Sequence, residues 1–124
     1  MKLAVTSTGQ TLESQMDSRF GRCKYFLFVD TENMQFEAIE NANGALGGGA
    51  GIQAARLMAE RGVRAVLTGN LGPNAHETLS AAGIDSFTGL NGTVSEGIAQ
   101  YLSGAMSTAT GPSVARHNGM NAER

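Results

Sequence analysis

Apolar residues along this chain come in short blocks separated by glycine and small polar residues. Leu3-Ala4-Val5 reads as a short buried strand that runs out into Thr6-Ser7-Thr8-Gly9-Gln10, and a long loop rich in Ser, Asp and Gln follows to Cys23. Tyr25-Phe26-Leu27-Phe28-Val29 is a continuous aromatic and aliphatic run of strand type, closed by the turn chemistry of Asp30-Thr31-Glu32-Asn33. Phe36 to Glu40 reads as the returning strand of a hairpin, and its imperfect alternation places it at a sheet edge.

The periodicity then changes. From Ala50 to Arg61 the polar residues Gln53, Arg56 and Glu60 recur at three- and four-residue intervals among Ile52, Ala55, Leu57 and Met58, which predicts an amphipathic helix stopped by Gly62. Val63 to Thr68 predicts a strand. A second helix follows, opened by Pro73 where the first turn needs no N–H, with Ala75, Leu79 and Ala82 on one face and Gly83 at its end. Ile84 to Phe87 predicts a last strand, and Thr93-Val94-Ser95-Glu96 has the spacing of a capping box before Ile98, Tyr101 and Leu102.

A hairpin joins antiparallel strands and a helical crossover joins parallel ones. The first, third, fourth and fifth strands are therefore expected to run one way and the second the other, in a mixed five-stranded α/β sheet flanked by helices. Residues 1–104 form the expected domain, and residues 105–124, almost devoid of apolar side chains, the expected loose tail. In such a sheet three segments emerge at one end, where open α/β folds bind ligands: Arg19-Phe20-Gly21-Arg22-Cys23; Gly44 to Gly51 with Gly47-Gly48-Gly49; and Gly69-Asn70-Leu71-Gly72-Pro73-Asn74. Two of them open a helix, whose N–H groups and positive dipole end favour an anion. Read singly, each glycine segment is equally a turn or a cap; their convergence with Arg19 and Arg22 points to an anion site.

Composition narrows the chemistry. The chain has 124 residues, enough for one core, and 17 Gly against 2 Pro. A net charge of −2 and a pI near 5.6 speak against a grip on nucleic acid, so no nucleic-acid partner is expected. Charge is nevertheless sorted: Arg19, Arg22 and Lys24 cluster, whereas residues 25 to 55 carry Asp30, Glu32, Glu37 and Glu40 and no base. The start runs directly into Leu3-Ala4-Val5 and no long apolar segment follows, so the expectation is a cytoplasmic protein without signal peptide or membrane span.

Neither a G-x-x-x-x-G-K-[ST] string nor a Cys with His and acidic partners is present, so the chain is not expected to be an enzyme. Cys23, the single cysteine, cannot build a multi-thiolate metal site. It admits two readings: a soft ligand whose pKa is lowered by neighbouring arginines, or a small buried residue at the head of a strand. His76 is either a ligand contact near the site or an exposed helical histidine, and His117 falls in the tail.

R-F-G-R-C at 19–23, the aromatic strand after it, G-G-G-A-G-I-Q-A-A at 47–55, G-V-x-A-V-L-T-G-x-L-G-P-N-A at 62–75 and A-A-G-I at 81–84 together resemble the dinitrogenase iron-molybdenum cofactor biosynthesis family over residues 1–104. The resemblance implies a ribonuclease H-like fold and the carriage of the iron-molybdenum cofactor or its precursors. In a stand-alone branch, which this short chain resembles more, it implies noncovalent carriage of a molybdenum–copper sulfide cluster. Where nitrogenase-associated members often place a histidine before Phe-Gly, this chain has Arg19, which suits an anionic cluster that brings its own sulfides. The expected cluster-binding residues are Arg19, Phe20, Gly21, Arg22, Cys23, Gly47, Gly48, Gly49, Gly51, Ile52, Gly69, Asn70, Leu71, Gly72, Asn74 and His76. The competing expectation is a regulatory or interaction module that meets a protein partner and binds no cluster; a phosphorylated metabolite at the same helix ends is a third.

Overall fold

A computed structural model of the chain describes residues 1–42 and 49–104. The expected tail, with His117, and the expected contacts of Gly47 and Gly48 lie outside the described residues. Eight elements follow one another: β1 (Lys2–Ser7), β2 (Tyr25–Asp30), β3 (Phe36–Glu40), α1 (Ala50–Glu60), β4 (Ala65–Leu67), α2 (Pro73–Ala81), β5 (Asp85–Phe87) and α3 (Val94–Leu102). They form one mixed sheet in the order β3-β2-β1-β4-β5. β2 is antiparallel to β1 and β3, while β1–β4 and β4–β5 are parallel, so β2 alone is reversed, as hairpin and crossover logic requires.

The apolar runs are continuous because the sheet is covered on both faces. Ala4, Phe26, Phe28 and Val66 point to one side, where Ala54, Ala55 and Met58 of α1 and Ala75 and Leu79 of α2 meet them. Their neighbours Leu3, Val5, Leu27, Val29, Ala65 and Leu67 point to the other, against Val94 and Ile98 of α3. A one-residue slip of any central strand would exchange these two sets. Each fully buried Leu, Val or Phe contributes roughly 1.5–3 kcal/mol, so these six-residue β1 and β2 strands are the scaffold on which the loops are hung.

Helices α1 and α2 end alike. Gly62 and Gly83 take left-handed φ values of 69° and 75°; Gly62 N donates to Ala59 O and Val63 N to Met58 O, and Gly83 N to Ser80 O and Ile84 N to Leu79 O. Two sequence expectations fail at helix ends. Ala82 is exposed rather than part of the buried face, because the helix ends at Ala81 and residue 82 is its cap. Leu102, grouped in the sequence with Ile98 and Tyr101, is the last residue of α3 and is 53% exposed, whereas Ile98 is buried. Val63, Arg64, Thr68 and Ile84 flank the short strands β4 and β5 rather than belonging to them. Among the described residues no helix is long and apolar enough to cross a membrane.

Candidate functional site

With β1, β3, β4 and β5 running the same way, the starts of all three helices lie at one end of the sheet. The loop between β1 and β2 reaches across that end. Its second half is pressed against the helix starts: a Cβ on Gly21 would stand 2.8 Å from the Gly51 nitrogen and 2.9 Å from its Cα, so only glycine lets the two backbones pass. Arg19 pairs with Asn70 in an isolated parallel bridge, and Gly51 lets α1 approach the Ala75 side chain of α2.

Neither helix start is capped by a side chain. The N-cap of α1 is Gly49, at φ 81°, and that of α2 is Gly72, in extended conformation; neither first turn holds an acid. The first helical bonds are Gln53 N to Gly49 O at 2.9 Å and His76 N to Gly72 O at 3.0 Å. The N–H groups of Ala50, Gly51 and Ile52, and of Asn74 and Ala75, therefore precede the helical ladder and meet no capping side chain, while Pro73 has none to offer. Each start carries the equivalent of roughly half a positive charge.

Between these starts and the loop is a cleft of about 300 Å³. Arg19, Phe20, Gly21 and Arg22 line one wall, Gly49, Ala50, Gly51 and Ile52 a second, and Asn70, Gly72, Pro73, Asn74 and Ala75 a third. Phe20 and Ala75 are almost wholly buried and form an apolar floor, Phe20 packing its ring 5.8 Å from that of Phe26. Ten expected residues are thus brought together: Arg19, Phe20, Gly21, Arg22, Gly49, Gly51, Ile52, Asn70, Gly72 and Asn74.

Four others fall elsewhere. Leu71 is buried in the core beneath the cleft, and Gly69 is spent on backbone packing, a Cβ there standing 2.8 Å from Ser18 Cα. His76 lies half-buried one turn into α2 and does not line the cleft. Cys23 is buried behind Phe20, with Sγ 3.4 Å from Phe20 O. Burial, and next the negative charge of Asp17, push its thiol up to about 12, the reverse of the lowering that neighbouring arginines suggested; Arg19 acts in the lowering direction but is outweighed. Among the described residues no three His, Cys, Asp or Glu side chains gather as a metal-ion site.

Sequence reading did not single out Ala50, Pro73 or Ala75 as site residues, and it missed Asp17. Asp17 is only 5% exposed in a loop whose composition is that of solvent-facing segments. Its Oδ1 accepts from Arg19 N at 3.0 Å and Nε at 3.2 Å, and its Oδ2 from Nη2 at 3.3 Å. The hydrogen bond to Asp17, and then its charge, raise the Arg19 pKa further. Arg19 was expected to contribute to an anion site; the structure pairs it with Asp17, so at this position the cleft receives oriented N–H donors rather than an isolated cation.

The class of protein this defines is an α/β scaffold that turns two uncapped helix starts, glycine backbone and a paired arginine toward one apolar-floored cleft. The chain belongs to the dinitrogenase iron-molybdenum cofactor family, whose model matches residues 1–104. The apo form of the orange protein from Desulfovibrio gigas is 40% identical, with a TM-score of 0.87 over 90% of this chain and 94% of that one, in keeping with the stand-alone branch. A candidate NifB protein from Thermotoga, placed in the DUF35 family, is 34% identical with a TM-score of 0.74 over 86% and 91%. An uncharacterised protein of Methanocaldococcus jannaschii is 32% identical over 96 residues, 75% of this chain and 81% of its own length.

Proposed function

We propose that this protein binds and carries an anionic metal–sulfur cluster noncovalently, as cargo rather than as a catalytic centre, in the cytoplasm. The cargo is of the molybdenum–copper sulfide or iron-molybdenum precursor type. The observation that carries the reading is the pair of uncapped helix starts facing one cleft beside Arg19 and Arg22. Sulfides and oxo groups on such a cluster are acceptors, and the N–H groups of Ala50, Gly51, Ile52, Asn74 and Ala75 are donors already fixed in place. The low dielectric over Phe20, Ile52 and Ala75 strengthens each of these contacts. Cys23, held as a protonated thiol behind the floor, favours a cluster that keeps its own sulfides over one ligated by the protein. The sheet order with a single reversed strand supports the ribonuclease H-like assignment, and β1, Lys2–Ser7, carries no carboxylate for metal-dependent hydrolysis.

The test is anaerobic mixing of the apoprotein with copper and tetrathiomolybdate. Protein-bound visible absorption that persists through gel filtration is expected, and Arg22→Ala should reduce it. Loss of all colour from the protein fraction would refute cluster carriage.

A further inference from the structure

The cleft's arginine is held by a residue that belongs to neither a helix start nor a glycine loop. Asp17 is fixed from both sides of its peptide: its N–H donates to Thr6 O at 3.0 Å, and its carbonyl accepts from Thr6 Oγ1 at 2.6 Å. Thr6 Oγ1 also lies 2.9 Å from Thr68 Oγ1. A carbonyl cannot donate, so the Thr6 proton goes to Asp17 O and the Thr68 hydroxyl donates to Thr6. Thr6 and Thr68 are both buried at the ends of β1 and β4, so this chain of hydroxyls clamps Asp17 to the centre of the sheet. The carboxylate then meets Arg19 edge-on through Nε and Nη2. That leaves both Nη1 hydrogens and one on Nη2 for a ligand, on a side chain 59% exposed that lines the cleft.

We infer that Asp17 is the positioning residue of the cleft: it fixes the plane of the Arg19 guanidinium so that its three remaining N–H groups face the anion, while cancelling its net charge. The inference rests on the cleft being the cluster site. Two consequences of opposite sign follow. With Arg19 present, removing the carboxylate frees the guanidinium and weakens binding, although it also removes a negative charge. With Arg19 absent, the same removal abolishes an uncompensated buried charge near an anion and strengthens binding.

Tetrathiomolybdate affinity measured anaerobically for wild type, Asp17→Asn, Arg19→Ala and the double variant separates the cases. Asp17→Asn should weaken binding by about threefold or more in the wild-type background and strengthen it in the Arg19→Ala background. A change in the same direction in both backgrounds, or none in either, overturns the inference, because a merely structural or merely electrostatic aspartate gives no inversion. A second measurement needs neither cargo nor a folded variant. In the ligand-free wild type the Arg19 Nε–H should exchange with water markedly more slowly than that of a free arginine, and exchange as fast as in free arginine overturns the inference. If wild type binds no tetrathiomolybdate, cluster carriage falls and the anion-positioning role of Asp17 falls with it, whereas fast exchange in a protein that does bind overturns the positioning role alone.

Discussion

The start of α3 and the starts of α1 and α2 lie at the same end of the sheet and are treated in opposite ways. At α3, Val94 N donates to Ser14 O at 2.9 Å, Ser95 N to Leu12 O at 2.8 Å and Glu96 N to Thr93 Oγ1 at 3.1 Å, while Glu96 Oε1 accepts from Thr93 N. Every N–H ahead of its ladder has an acceptor, and an acid offsets the dipole. At α1 and α2 the caps are glycines and the first turns hold no acid. One loop produces both outcomes: its first half supplies carbonyls to α3, and its second half brings Arg19 to Arg22 beside α1 and α2. Among the described residues, helix starts without a capping side chain are thus confined to the two that border the cleft and are not a general property of this fold.

Breaking the packing that holds the open starts together should have the largest effect. Gly21→Ala drives a methyl into the backbone of Gly51 and should cost about 1–3 kcal/mol in chemical denaturation. Tetrathiomolybdate binding should fall by roughly tenfold or more in the same protein. Converting an open start into a closed one comes next. Gly72 has a φ of −78° that any residue adopts, so Gly72→Asp should cap α2 and stabilise the protein by about 0.5–1 kcal/mol. The same carboxylate should expel the anion, lowering tetrathiomolybdate affinity by about tenfold or more. The converse change at α3 sharpens the contrast: Thr93→Ala should cost about 1 kcal/mol in thermal or urea unfolding and leave affinity unchanged.

The smallest effect concerns the thiol behind the cleft floor. Burial raises the Cys23 pKa from 9.0 to about 12, so the folded state favours the protonated form. The corresponding stability is complete below pH 9.0 and is lost progressively as pH rises toward about 12. Unfolding titrations over that range should show a decline that Cys23→Ser reduces. Native protein should resist alkylation at mildly alkaline pH, with rapid reaction only in denaturant.

Features written in a few adjacent residues were legible from sequence. The Thr93 to Glu96 box, the hairpin turn at 30–33 and the glycine stops at 62 and 83 each depend on local chemistry, and all are found in place. The reversed second strand followed from which connections are hairpins and which pass through a helix. The site was legible as a gathering of segments but not as a set of side chains. Within Gly69-Asn70-Leu71-Gly72 nothing local says that Leu71 turns into the core while Asn70 stays exposed at the rim; that is decided by the Arg19 to Asn70 bridge, a contact between distant segments. Asp17 escaped notice because its burial comes from Thr6 and Arg19 closing around it, and a polar loop composition carries no trace of that. Cys23 was left open between two roles because only the depth of the site distinguishes them.

β1 and β2 are adjacent antiparallel strands, and Ser7 faces Tyr25 at the point where the chain leaves the sheet and returns. Residues 8–24 thus hang from a single doorway in the scaffold, pegged inward by Met16, Asp17, Phe20 and Cys23. Such an insert can lengthen, shorten or change its sequence between the pegs without shifting any strand. Whatever changes between the pegs is absorbed by the insert, and the pairings of the five strands stay as they are.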